Sequence, residues 1–234
     1  MPTPQLLISV RNPAEARAAL AGHADLIDIK NPAAGSLGKA TPDTINDILQ
    51  TIADQRPVSA ALGELHELTP PPPQSLRYLK LGLAHAPTDW RQRLTACADT
   101  LGRRRFIAVA YADHARAAAP PIDDVLDWAI AQRVGGFLLD TAVKDGRTLL
   151  DWCSGAALQH WIDTAHRHHL LVALAGSLTR STLPSLLPLD ADVIAVRSAA
   201  CARRDRCATV QPHLVRQLKQ ALAAHSAAAM PSAG

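Results

Sequence analysis

A chain of 234 residues, 48% hydrophobic and 19% charged, has the length for one large core and the composition of an ordinary globular protein. Its net charge of +3 and short basic runs, Arg103-Arg104-Arg105 and Arg203-Arg204-Asp205-Arg206, give a nucleic-acid backbone nothing to track, and both runs read as solvated faces. No apolar run is long enough to cross a bilayer. The start, Met1-Pro2-Thr3-Pro4-Gln5, lacks the features of a signal peptide, and the four cysteines form no CxxC pair, so a reduced, cytoplasmic setting is expected.

Apolar β-rich runs alternate with helix-like stretches along the whole chain. Strands are predicted at 6–10, 26–30, 58–63, 78–83, 106–112, 136–142, 170–175 and 193–199. Helices are predicted at 13–22, 42–54, 88–102, 122–133, 156–168, 181–187 and 209–225. Asn12-Pro13 and Thr41-Pro42 each offer an N-cap followed by proline in the first helical turn. The connection at 64–77 carries four consecutive prolines, Pro70 to Pro73, so its helix is expected to be short or missing. Strands alternating with helices imply a parallel sheet. Eight such units in fewer than 250 residues, with Arg11-Asn12-Pro13 rather than a Gly-rich turn after the first strand, imply a single-domain (β/α)8 TIM barrel. The barrel is expected to occupy 1–225, with a frayed tail at 226–234.

Lysine is scarce: of 24 Lys and Arg residues, five are lysine. Three of these, Lys30, Lys80 and Lys144, lie in or just beyond predicted strands. A lysine amine forms imines once its pKa falls, whereas a guanidinium keeps its proton. Period-2 alternation places Asp28 and Lys30 on one face of the second strand and Ile27 and Ile29 on the other. The aliphatic pair suits helix packing, so Asp28, Lys30, Lys80, Asp140 and Arg197 should enter one barrel mouth, with Lys144 on the loop above it. Five charges buried without function are costly, and the C-terminal face of a barrel is where catalysis sits. The ends of strands seven and eight, Gly176-Ser177 and Arg197-Ser198, are placed to hold a phosphate. Tyr111, Asp113, Glu64 and His66 also lie near strand ends with no assigned role, while His166, His168 and His169 read as a solvated helix end and Trp128, Trp152 and Trp161 as packing.

The stretches DLIDIKNPAAGSLG (25–38), YLKLGL (78–83), YAD (111–113), LLDTAVKDG (138–146), ALAGSL (173–178) and AVRSAAC (195–201), with Asp205-Arg206, resemble the (5-formylfuran-3-yl)methyl phosphate synthases, also called 4-(hydroxymethyl)-2-furancarboxaldehyde-phosphate synthases. The resemblance implies a lyase that condenses two glyceraldehyde-3-phosphates, with loss of one phosphate and two waters, towards methanofuran-type C1 carriers. It places the Schiff-base lysine at Lys30, a neighbouring aspartate at Asp28, and further site residues at Lys80, Asp140 and Lys144. It implies no metal or organic cofactor. A phosphorylated aldehyde is the expected partner, with no nucleic acid or membrane, in a homo-oligomer. The proline-rich third connection and the loop Ala84-His85-Ala86-Pro87 depart from the family's pattern. Another imine-forming, class I aldolase-like lyase on a sugar phosphate, or a non-enzymatic phosphate-binding barrel, would share parts of this constellation.

Overall fold

The computed structural model describes residues 3–67, 73 and 75–228. Eight parallel strands close a barrel in chain order: β1 (Gln5–Val10), β2 (Leu26–Ile29), β3 (Val58–Glu64), β4 (Tyr78–Gly82), β5 (Phe106–Tyr111), β6 (Gly136–Asp140), β7 (Leu171–Leu174) and β8 (Val193–Val196). Pairing of β1 with β8, Gln5 opposite Val193 and Ile8 opposite Val196, completes the ring. Around it run α1 (Pro13–Ala21), α2 (Pro42–Ile52), α3 (Trp90–Leu101), α4 (Ile122–Gln132), α5 (Gly155–Arg167), the single turn α6 (Leu183–Leu186) and α7 (Pro212–Ala228).

The caps form as the sequence implies. The Asn12 side chain accepts from the Glu15 amide at 2.9 Å, and Thr41 Oγ1 accepts from the Thr44 amide at 3.2 Å, with proline following each cap. Between β3 and β4 the described residues hold one 3-10 turn, Leu65–Glu67, and no α-helix. Most of the proline run lies outside the described residues. The last helix continues three residues beyond the expected limit at 225, and the rest of the expected tail, 229–234, is likewise outside them.

Strand alternation sorts the core into two clusters. Leu7, Leu26, Ala61, Ile107, Val109, Leu138, Ala173 and Val193 fill the barrel interior. Ile8, Ile27, Ile29, Leu79, Leu81 and Phe137 pack between strands and helices, where Phe106 and Trp128 meet edge to face at 6.0 Å. The interior layer is apolar at the bottom and turns polar at the C-terminal rim, with Ser9, Asp28, Ser59, Lys80 and Asp140 all buried. Several strands end one to three residues earlier than expected, because the chain leaves the ladder at the rim. Lys30 follows the last residue of β2, yet its amide still bonds the Val10 carbonyl at 3.0 Å, which keeps its side chain on the inward face.

Candidate active site

A pocket of about 400 Å³ opens at the C-terminal mouth, lined by Asp28, Lys30, Lys80, Asp140 and Lys144 among others. The three lysines are not equivalent. Lys80 Nζ lies 2.5 Å from Asp28 Oδ1, and Lys144 Nζ lies 2.7 Å from Asp140 Oδ1. Among the described residues, Lys30 Nζ makes one hydrogen bond, to the Ser36 carbonyl at 3.4 Å. Burial pushes the Lys30 amine down to about 8. Asp140 and Asp28 oppose that shift, and the charges of Lys144 and Lys80 add to it. Asp28 is held as an acceptor on every side: Ser59 Oγ donates to it at 2.7 Å and Ser9 Oγ at 3.0 Å, in addition to Lys80. Asp140 accepts from the Thr141 amide at 2.7 Å and from Ser36 Oγ at 3.1 Å. Burial pulls its carboxyl upward, but the charges of Lys144 and Lys30 and the hydrogen bonds from Lys144 and the Thr141 amide outweigh burial and hold it below the usual carboxylate range. An amine flanked by two lysine–carboxylate pairs is equipped for imine formation with proton donors on two sides.

The Lys30 pKa has a measurable sign. It lies below the ordinary lysine value of 10.5, so neutral amine is present in quantity at pH values where a surface lysine is fully charged. Borohydride trapping of a triose phosphate at Lys30 is expected to rise with pH and reach half its plateau at about 8. A half-point near 10 would show that the site does not depress the amine.

The four residues expected to hold a phosphate do not share one environment. Gly176, Ser177 and Ser198 line the pocket. Gly176 has φ +97, where glycine is free of a Cβ clash, and Ser177 follows at φ +51, a strained conformation for a residue with a Cβ. Arg197 needs correcting as a ligand. It borders the pocket, but its guanidinium is engaged by the protein: Nη1 donates to Glu15 Oε2 at 2.7 Å and to the Ser9 carbonyl at 2.8 Å, and Nη2 to Glu15 Oε1 at 3.3 Å and the Ala208 carbonyl at 3.3 Å. Nε donates to the Arg206 carbonyl at 2.6 Å. A guanidinium has five N–H donors, and these bonds leave none for an anion. Strand alternation no longer directs a side chain one residue past the end of β8. Glu15 is fully buried, so removing it strands a buried cation. Glu15→Leu is expected to cost about 3–5 kcal/mol, seen as a Tm drop of roughly 2–4 °C per kcal/mol. An unchanged Tm would mean that the pair carries no weight.

Other polar residues brace the rim. The Asp113 carboxylate accepts from the Ala142 amide at 2.6 Å and the Val143 amide at 2.9 Å, which fixes the turn that carries Lys144. Tyr111 Oη donates to Glu64 Oε1 at 2.7 Å, and Glu64 Oε2 accepts from the Ala84 amide at 2.7 Å. That carboxylate occupies the space a Cβ would need at position 82, so a larger residue there would have to displace it. His66 is exposed, as are His168 and His169, while His166 pairs with Asp192 at 2.9 Å. Trp128 packs as expected. The hydroxyls of Ser9, Ser36 and Ser59 carry little signal in the sequence: inward alternation in β1 and β3 marks Ser9 and Ser59, but serine alone says nothing of role.

A half-buried lysine and two lysine–aspartate pairs, gathered at the C-terminal mouth of an eight-stranded barrel, define an enzyme of the (β/α)8 class. The sequence profile of the 4-HFC-P synthase family matches residues 6–219, and the chain belongs to that family. The (5-formylfuran-3-yl)methyl phosphate synthase of Methanopyrus kandleri is 36% identical, over 94% of this chain and 99% of its own. The enzyme of the same name from Methanocaldococcus jannaschii is 33% identical, over 92% and 98%. Similar solved structures include a thiamine phosphate pyrophosphorylase from Pyrococcus furiosus, with TM-score 0.64, 12% identity and coverage of 95% and 96%. A 3-hexulose-6-phosphate synthase from Salmonella typhimurium gives TM-score 0.62 at 15% identity, covering 94% and 99%. At such identities the likeness concerns the fold alone. Among the described residues no helix is long and apolar enough to cross a membrane.

Proposed function

We propose that this enzyme condenses two glyceraldehyde-3-phosphates to 4-(hydroxymethyl)-2-furancarboxaldehyde phosphate through an imine on Lys30, as a step towards methanofuran-type C1 carriers. The observation that carries this reading is the inequality of the three lysines. Lys80 and Lys144 are engaged by carboxylates, whereas Lys30 touches one carbonyl and has its pKa lowered to about 8. The Lys30 amine adds to one triose carbonyl and water leaves, giving an imine that accepts electrons from the adjacent carbon. Loss of a proton from that carbon opens the enolisation, carbon–carbon bond formation, phosphate loss, ring closure and dehydration that the product requires, so two C3 phosphates yield one C6 furan phosphate, one phosphate and two waters. The Asp28–Lys80 and Asp140–Lys144 pairs exchange the protons from two sides of the mouth. The turn at Gly176-Ser177 and Ser198 receives a substrate phosphate through backbone amides and hydroxyls.

Incubation of the purified protein with glyceraldehyde-3-phosphate, followed by mass spectrometry and phosphate assay, tests the reading. The expected result is the furan aldehyde phosphate with one phosphate released per two trioses consumed. A sugar phosphate product without phosphate release would replace the condensation with an aldolase-type reaction.

A further inference from the structure

A reaction that joins two triose phosphates must hold two phosphates at once, and the turn at Gly176-Ser177 and Ser198 provides for one. Of the other cations that line the pocket, Arg204 is exposed to solvent and four are committed. Lys80 and Lys144 are bound to Asp28 and Asp140, Arg197 is bound to Glu15 and three carbonyls, and Lys30 is the amine. Arg206 differs from all of these. It lines the same pocket and is half-buried. Among the described residues its guanidinium makes one hydrogen bond, Nη2 to the Gly35 carbonyl at 2.9 Å, and no ion pair. Its neighbour Asp205 is turned to the loop backbone, accepting from the Cys207 amide at 2.8 Å. A guanidinium drawn partly out of water without a carboxylate, with most of its N–H donors unspent, is a ready partner for a phosphate, which it can grip with two parallel bonds.

The placement is built by neighbouring residues. Arg197 Nε holds the Arg206 carbonyl at 2.6 Å, so the buried Arg197–Glu15 pair presents Arg206 to the pocket. The Gly35 carbonyl that anchors Arg206 precedes Ser36, whose carbonyl faces Lys30 Nζ at 3.4 Å and whose Oγ donates to Asp140 at 3.1 Å. Burial draws the Arg206 pKa down, and the charge of Asp140 opposes this, as expected for a cation at the same rim. We propose that Arg206 binds the phosphate of the second triose, the aldehyde partner brought up to the Lys30-bound triose. This rests on the two-triose reading above. The Arg206 side chain itself ties the β8–α7 loop to the 31–38 loop through the Gly35 carbonyl.

The test uses inorganic phosphate as the probe and the full chain as it exists. Calorimetric titration is expected to find two phosphates bound per chain in the unaltered protein and one in Arg206→Ala. In turnover, Arg206→Ala should raise the glyceraldehyde-3-phosphate concentration for half-maximal rate roughly 10–100-fold, the loss of a charge-assisted bidentate contact. Half-saturation for borohydride trapping at Lys30 should stay within about twofold, because the first triose does not use Arg206. Arg206→Lys should recover part of the turnover defect, since it keeps charge but not the fork. Two phosphates still bound by Arg206→Ala, a single phosphate bound by the unaltered protein, or equal shifts in trapping and turnover would each overturn the proposal. If the second phosphate is lost with Arg206 while no furan product forms from the unaltered protein, the anion site stands and the condensation reading alone fails.

Discussion

Lys30→Arg is expected to abolish turnover, by a factor on the order of 10⁴ or more, while leaving a folded barrel. The substitution keeps a cation between Asp28 and Asp140, so the electrostatics that assemble the rim are largely preserved. What is lost is a group able to shed its proton and form an imine. The structure also says why neither neighbour should substitute. Lys80 and Lys144 each donate to a carboxylate, at 2.5 and 2.7 Å, and moving either onto a substrate carbonyl would strand a buried aspartate. Borohydride with substrate should therefore label a Lys30 peptide in the unaltered protein and no lysine in Lys30→Arg. An adduct on Lys80 or Lys144, or more than a tenth of the original turnover in Lys30→Arg, would move the nucleophile elsewhere.

The fold was legible because its signal repeats. Each strand alternates, so Ile27 and Ile29 facing helices fixed the direction of Asp28 and Lys30, and the same parity carried Lys80 and Asp140 inward. What escaped the sequence lies where parity stops. Arg197 follows the last residue of β8 with φ −130 and ψ −68, and its long side chain finds Glu15, 182 residues away, on a helix face that looks like part of an N-terminal cap. The run Arg203-Arg204-Asp205-Arg206 reads as one solvated face, which holds for the exposed Arg203 and Arg204 but not for half-buried Arg206. A run of charges in a loop carries no periodicity to separate its members. Pairing is similarly silent: the five site charges are visible in the sequence, but which lysine is left without a carboxylate is set by distances across strands, and that inequality is what singles out Lys30.

Asp28→Asn and Asp140→Asn are expected to change two measurements in opposite directions. Each removes a carboxylate that can exchange protons with the substrate, directly or with its lysine, so turnover should fall on the order of 10²–10⁴-fold. Each also removes a negative charge that raises the Lys30 pKa, Asp140 exerting the larger effect and Asp28 the smaller. The Lys30 amine should then lose its proton more readily, and the half-point for borohydride trapping should move below about 8, further for Asp140→Asn than for Asp28→Asn. Imine formation thus persists at neutral pH in at least one variant while the steps after it fail. That separation distinguishes proton exchange from mere structural support, because a collapsed rim would depress trapping and turnover together. It also places the two aspartates after the imine in the reaction order. Turnover like that of the unaltered protein in both variants would leave the carboxylates as counter-ions for Lys80 and Lys144. A trapping half-point displaced upward would mean that the charges around Lys30 are not those the geometry describes.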